Sequence, residues 1–168
     1  KKALLQPIYC PLYVKICKSL IKVNEYTLDL INKKCNIYYD MIKSVEDDKI
    51  KTTKITYDKF CENLKNKRKL KGFTQFIGEL YLNEIIKNDI IINIINLFIK
   101  NINTLIVNKN SKSLEKNVEC LCKILETIIN ELNKFPSYKN IINELSKNKK
   151  LLPRHRFLFM DINDKIVL

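Results

Sequence analysis

Apolar residues recur three and four positions apart along almost the whole chain, the spacing that lines one face of an α-helix. The pattern predicts a helix from about Pro11 to Lys22, with proline in its first turn and Leu12, Ile16, Leu20 and Val23 as its apolar face. A second helix, over about residues 25–44, sets Leu28, Ile31, Cys35, Tyr38 and Ile42 against Asn32, Asn36 and Lys43. A polar linker, Ser44 to Thr53, then carries Glu46, Asp47 and Asp48. A third helix starts near Thr56, a suitable N-cap, with Asp58 in its first turn, and reaches Leu82. Its apolar positions are Phe60, Leu64, Phe73, Phe76, Ile77 and Leu80.

A fourth helix is predicted over about 88–107, with Ile91, Ile95, Phe98, Ile102 and Leu105 opposite Asn93, Asn96, Lys100 and Asn103. After a polar loop from Asn108 to Lys112, a fifth covers about 113–133. Its Val118, Leu121, Leu125, Ile128 and Leu132 oppose Lys116, Glu119, Lys123, Glu126 and Asn130. Two more helices begin at Pro136, with Ile141, Ile142 and Leu145, and near Pro153, with Phe157, Leu158 and Ile162.

Wide apolar faces and short linkers make successive helices pack as antiparallel pairs. The pairs start about 45–55 residues apart, near the period of HEAT repeats. The expected fold is all-α: an α-α superhelix, a HEAT/armadillo-like solenoid of antiparallel helix pairs spanning 1–168 as a single domain. Periodicity alone fits an irregular helical bundle equally well. The chain's only two glycines, Gly72 and Gly78, fall inside the third helix. Each costs about 1 kcal/mol there relative to alanine. Close approach of a packed neighbour is the expected reason.

Composition narrows the function classes. Hydrophobic residues make up 46% of the 168, enough for a core, while two glycines and four prolines leave little room for all-β turns. A net charge of +13 favours phosphate backbones or acidic proteins. Lysine, isoleucine and asparagine fill about two-fifths of the chain, a bias read as AT-rich codon usage, so a single lysine says little. The three arginines say more.

Cysteines 10, 17, 35, 61, 120 and 122 form no CxxC, and with one histidine a zinc site is not expected. They read as reduced core residues of an intracellular protein. The most apolar run, Ile85 to Val107, is broken by Lys87, Asp89, Asn93, Asn96 and Lys100, so a buried helix is expected and not a membrane span. No catalytic constellation stands out. His155 sits between two arginines, whose charge disfavours its protonated form, and no glycine-rich phosphate loop exists. The chain is read as a non-enzyme without cofactors.

Four segments carry a family resemblance. Lys2-Ala3-Leu4-Leu5-Gln6-Pro7 through Cys17 resembles "KAISEPxxxxxYxxxC", with Pro7, Tyr13 and Cys17 in register. Gly72 through Tyr81 resembles "GxxxFIGELF", and Val118 through Leu125 resembles "LECLCRLL". More weakly, Arg154-His155-Arg156-Phe157 with Asp161-Ile162 is similar to "RIRFMLxDV". Their order and span resemble the middle domain of eukaryotic translation initiation factor 4G, a helical-repeat scaffold. Related middle domains serve decay, splicing, cap-binding and poly(A)-linked factors. The family normally opens with a further helix pair, expected to be missing here. Its linker after the second helix is longer, and its turn after the fourth is shorter. Its tryptophan-containing tail, part of a secondary helicase contact, has no counterpart in this chain.

The resemblance implies a cytoplasmic initiation scaffold that binds a DEAD-box helicase of the initiation factor 4A type and contacts RNA without sequence preference. The alternatives are a middle domain of an mRNA decay, splicing or poly(A)-linked factor, or a plain HEAT adaptor for acidic peptides. Five of the seven residues from Lys65 to Lys71 are cationic, and Lys65, Lys67, Arg68, Lys69 and Lys71 form the candidate RNA or partner contact. Arg154, near a loop, is a second candidate. Gly72, Phe76, Gly78, Glu79 and Arg156 are read as structural, with Arg156 expected to pair with Glu119 or Glu79. A monomer is expected.

Overall fold

The computed structural model describes residues 5–43, 56–108 and 111–167, and every regular element among them is helical. The start of the first resemblance segment, the linker with Glu46, Asp47 and Asp48, and the middle of the 108–112 loop lie outside the described residues. The chain divides into two compact units, Lys1–Leu97 and Phe98–Leu168.

In the first unit a 3₁₀ turn, Pro7–Tyr9, leads into α1, Cys10–Val23. Asn24 adopts an extended conformation (φ −148°, ψ 107°) and stops the helix. Its Oδ1 accepts the amide of Tyr26 at 3.0 Å, which starts α2, Tyr26–Lys43, after a two-residue turn. α1 packs against α2 and against α3, Tyr57–Leu82.

α1 corrects the expected apolar face. Leu12, Ile16, Leu20 and Val23 are exposed, from 46% at Ile16 to 86% at Val23. The inward positions are Cys10 and Val14, with Cys17 and Ile21 half-buried. That set also has helical spacing, but its side chains are smaller. Small residues let α1 lie close to α3, where Gly72, Thr74 and Gly78 are buried. Neither glycine has a positive φ, so close approach and not turn geometry accounts for them.

α2 buries Cys35, Tyr38 and Ile42, as its periodicity indicates, with Leu28 and Ile31 half-buried. The Thr74 hydroxyl donates to the Leu70 carbonyl at 2.9 Å and accepts from the Tyr38 hydroxyl, which lies 3.3 Å from the same carbonyl. The Tyr38 ring lies 4.5 Å from that of Phe73. A buried phenol thus has its polar end satisfied and its ring packed.

α3 begins after Thr56 as expected, although no side-chain hydrogen bond caps it there. Phe60 and Leu64, read as apolar-face positions, are exposed; burial begins at Leu70. The helix ends in a Schellman motif. The amide of Ile85 donates to Leu80 at 2.9 Å, that of Glu84 to Tyr81 at 2.9 Å, and Glu84 sits at φ 60°.

α4, Asn88–Asn108, runs across the boundary between the units. Its segment Asn88–Val107 is long and apolar enough to cross a membrane by length and composition. Its Ile91, Ile95, Phe98, Ile102 and Leu105 are buried, and Asn93, Asn96, Lys100 and Asn103 are exposed, so the helix has one buried and one polar face.

The second unit continues with α5, Ser111–Thr127, α6, Pro136–Lys147, and α7, Pro153–Val167. The helix expected over 113–133 is two elements, because α5 gives way to a 3₁₀ segment, Ile129–Lys134. Thr127, Ile128 and Ile129 are three successive β-branched residues, which crowd the preceding helical turn. The Thr127 hydroxyl bonds back to the Lys123 carbonyl at 2.7 Å. Ile128 and Leu132 are nevertheless buried. Buried Asn117 donates to the Ser113 carbonyl at 2.8 Å and accepts from Asn101 at 3.3 Å.

α7 packs on α6, α5 and the 3₁₀ segment. Its inward residues are His155, Phe159 and Ile162, whereas Phe157 is exposed and Leu158 half-buried. The expected face was therefore offset by two residues at its start. An inward histidine hid the register from a purely apolar count.

Candidate RNA and partner interface

The cationic run lies on α3 where the helix changes character. From Leu70 onward it is packed; from Tyr57 to Lys69 only Cys61 and Lys67 are even half-buried. Lys65, Arg68, Lys69 and Lys71 are exposed and hold no ion pair among the described residues, while Lys67 is half-buried. The run does not break the helix, which is continuous through it. Arg68 and Lys69 follow Lys65 by three and four residues and share its face; Lys67 and Lys71 sit on the adjoining one.

Sequence reasoning missed a second feature of the same helix half. Tyr57 is 79% exposed, Phe60 52% and Leu64 40%. At spacings of three and four they form one stripe, which Lys67, Arg68 and Lys71 prolong. The signal was visible as apolar periodicity, but periodicity does not say whether a partner element is present.

The signature residues pack. Gly72 and Gly78 are buried, Phe76 and Glu79 are half-buried, and the Phe76 ring lies 6.3 Å from Phe73. The backbone carbonyl of Glu79 accepts from the Asn83 side chain at 2.9 Å. Gln75 donates to the Pro7 carbonyl at 3.2 Å and so ties the chain before α1 to α3.

On the second unit it is Arg154, and not Arg156, that pairs with Glu119. Arg154 Nη2 donates to Glu115 Oε1 at 2.9 Å and to Glu119 Oε1 at 3.1 Å, while its side chain stays 56% exposed. Arg156, expected to take Glu119 or Glu79, is half-buried, and its Nε has no hydrogen-bond partner among the described residues. Because His155 points inward, its neighbours flank it on opposite sides, and Arg154 is the one on the α5 side. Glu115 was not foreseen as a partner.

At the far end of α7, Lys165 reaches Glu126 at 3.1 Å, and Lys123 reaches it at 3.3 Å. The Lys165 hydrogen bond, aided by Lys123 and opposed by partial burial, holds the Glu126 carboxyl below the usual carboxylate range. Burial pushes the Cys35 thiol up to about 11 and also raises Cys17 and Tyr138. No disulfide joins any of the six cysteines among the described residues, and four of the six are buried.

Neither a curated protein nor a solved structure matches the sequence. The MIF4G domain family matches residues 1–164, across both units. MIF4G domains are all-α helical-repeat scaffolds of translation and mRNA-processing factors, generally non-enzymatic, and they commonly bind helicases and RNA. With that match over nearly its whole length, the chain belongs to the MIF4G domain family.

Proposed function

We propose that the chain is a translation-initiation scaffold that binds and stimulates a DEAD-box RNA helicase of the initiation factor 4A type, working in the cytoplasm as a monomer and contacting RNA. The observation that carries this reading is the family match over residues 1–164 together with the initiation-type stretch Gly72–Tyr81, which forms the packed half of α3. Helical-repeat scaffolds offer helix ends and faces along an edge where partners dock. Stimulation follows by population shift: a scaffold that favours one arrangement of the two helicase lobes enriches it, with no group of its own on the phosphates.

Lys65, Lys67, Arg68, Lys69 and Lys71 supply the phosphate contact. Lysines and arginine on an exposed helix give sequence-independent binding that weakens with salt. Arg154 is the corresponding contact of the second unit. An acidic partner group would compete with Glu115 and Glu119 for its guanidinium. Titration calorimetry of the chain with the initiation-type helicase of the same organism tests the reading, with light scattering on the free chain and the complex. A one-to-one complex from a monomeric chain is expected. Absence of any heat or complex at micromolar concentrations would move the function to another mRNA-processing partner.

A further inference from the structure

The exposed half of α3 carries more than charge. Tyr57, Phe60 and Leu64 form an apolar stripe, and Arg68 and Lys71 continue it toward the packed half. From Tyr57 to Lys71 the stripe runs about 21 Å at the helical rise, with about 4.5 Å of rise between the two aromatic residues. Two exposed rings followed by cations that hold no ion pair among the described residues match a ligand with flat faces on one side and phosphates on the other. Single-stranded nucleic acid has that chemistry, because its bases are free to stack on aromatic side chains. A duplex hides those faces and offers only its backbone.

Building on the RNA contact proposed above, we propose that this stripe is a stacking platform for single-stranded RNA. Tyr57 and Phe60 each receive a base, Leu64 covers the next base or its sugar, and Arg68 and Lys71 hold the phosphates. The platform gives the domain a preference for unpaired over paired RNA that lysines alone cannot supply. Backbone contacts are shared by both forms, whereas stacking belongs to one. The same chemistry makes the domain sequence-tolerant, since every base has a π-face.

The test is fluorescence anisotropy of the full chain with a labelled 12-nucleotide single strand free of self-pairing, and with the 12-base-pair duplex of the same sequence, over a range of salt. The variants are Tyr57→Ala with Phe60→Ala, Tyr57→Phe with Phe60→Tyr, and Arg68→Glu with Lys71→Glu. All these positions are exposed, and circular dichroism melts confirm that each variant is folded. The native chain is expected to bind the single strand at least tenfold tighter than the duplex. Removing both rings should weaken single-strand binding tenfold or more, with duplex binding and the salt slope unchanged. The ring-conserving pair should bind as the native chain does. Charge reversal should weaken both forms and flatten the salt slope.

Single-strand binding unaltered by loss of both rings would overturn the platform and leave the RNA contact standing. No binding of either RNA by the native chain would overturn both. Loss of helicase binding, but not RNA binding, in the ring-deleted chain would assign the stripe to a protein partner and overturn the platform as well.

Discussion

Arg154 reaches Glu119 at 3.1 Å, and the same nitrogen takes Glu115 at 2.9 Å, so the first turn of α7 is fastened to α5. Glu115 and Glu119 are four apart on α5, where two negative charges repel. Arg154 neutralises that repulsion as well as making two hydrogen bonds.

Arg154→Ala should therefore lower stability by about 1 kcal/mol, at the upper end for exposed pairs, because two carboxylates lose one cation. A double-mutant cycle of Arg154→Ala with Glu119→Gln, read by urea unfolding, should give a coupling of about 0.5 kcal/mol that shrinks in high salt. Arg154→Lys should recover only part of it, since one ammonium lacks the planar fork. Zero coupling at low salt would mean that the pair does not hold α7 to α5.

The end of α3 offers a gain. Glu84 occupies the left-handed position of a Schellman motif at φ 60°, where glycine is the usual residue. A side chain there costs about 1 kcal/mol relative to glycine. Glu84→Gly should raise stability by about 0.5–1 kcal/mol, after its added freedom in the unfolded chain is discounted. A lower melting temperature for the variant would show that the Glu84 side chain makes a compensating contact.

Two apolar faces on adjacent elements should respond in opposite ways. Ile77 is fully buried, while Leu12 and Ile16 are exposed. Ile77→Ala should cost about 2–5 kcal/mol through lost burial and a cavity. Leu12→Ala and Ile16→Ala should each stay within about 0.5 kcal/mol. A large loss at Leu12 would place that face in the folding core.

These contrasts show where the sequence was readable. Helix positions follow directly from 3,4 spacing in α2, α4 and α6, because each has one apolar set large enough to dominate. α1 has two such sets, Leu12/Ile16/Leu20/Val23 and Cys10/Val14/Cys17/Ile21. The bulkier one misled, since closeness to glycine-bearing α3 favours the smaller. α7 misled for a related reason: a buried histidine occupies a core position. The long fifth helix was overextended because a β-branched run permits 3₁₀ winding as readily as α. At the interface the cations were legible from composition. The exposure of Tyr57 and Phe60 and the pairing of Arg154 depend on tertiary placement, which no local pattern encodes.

Thiol chemistry checks the burial pattern independently. Cys35 is 1% exposed, and burial raises its thiol to about 11, so at pH 8 it holds almost no thiolate. Cys61, half-buried on the open half of α3, should be labelled first by a disulfide reagent. Cys35 should react only on unfolding. Equal rates at both positions in the native chain would contradict the packing of α2 against its unit.

The most direct test of the scaffold reading is the RNA-dependent ATPase rate of the same organism's initiation-type DEAD-box helicase, with and without this domain. Saturable stimulation is expected, lost when Lys67→Glu, Arg68→Glu, Lys69→Glu and Lys71→Glu are combined in a chain that still folds. An ATPase rate unchanged by saturating amounts of the native domain would contradict it.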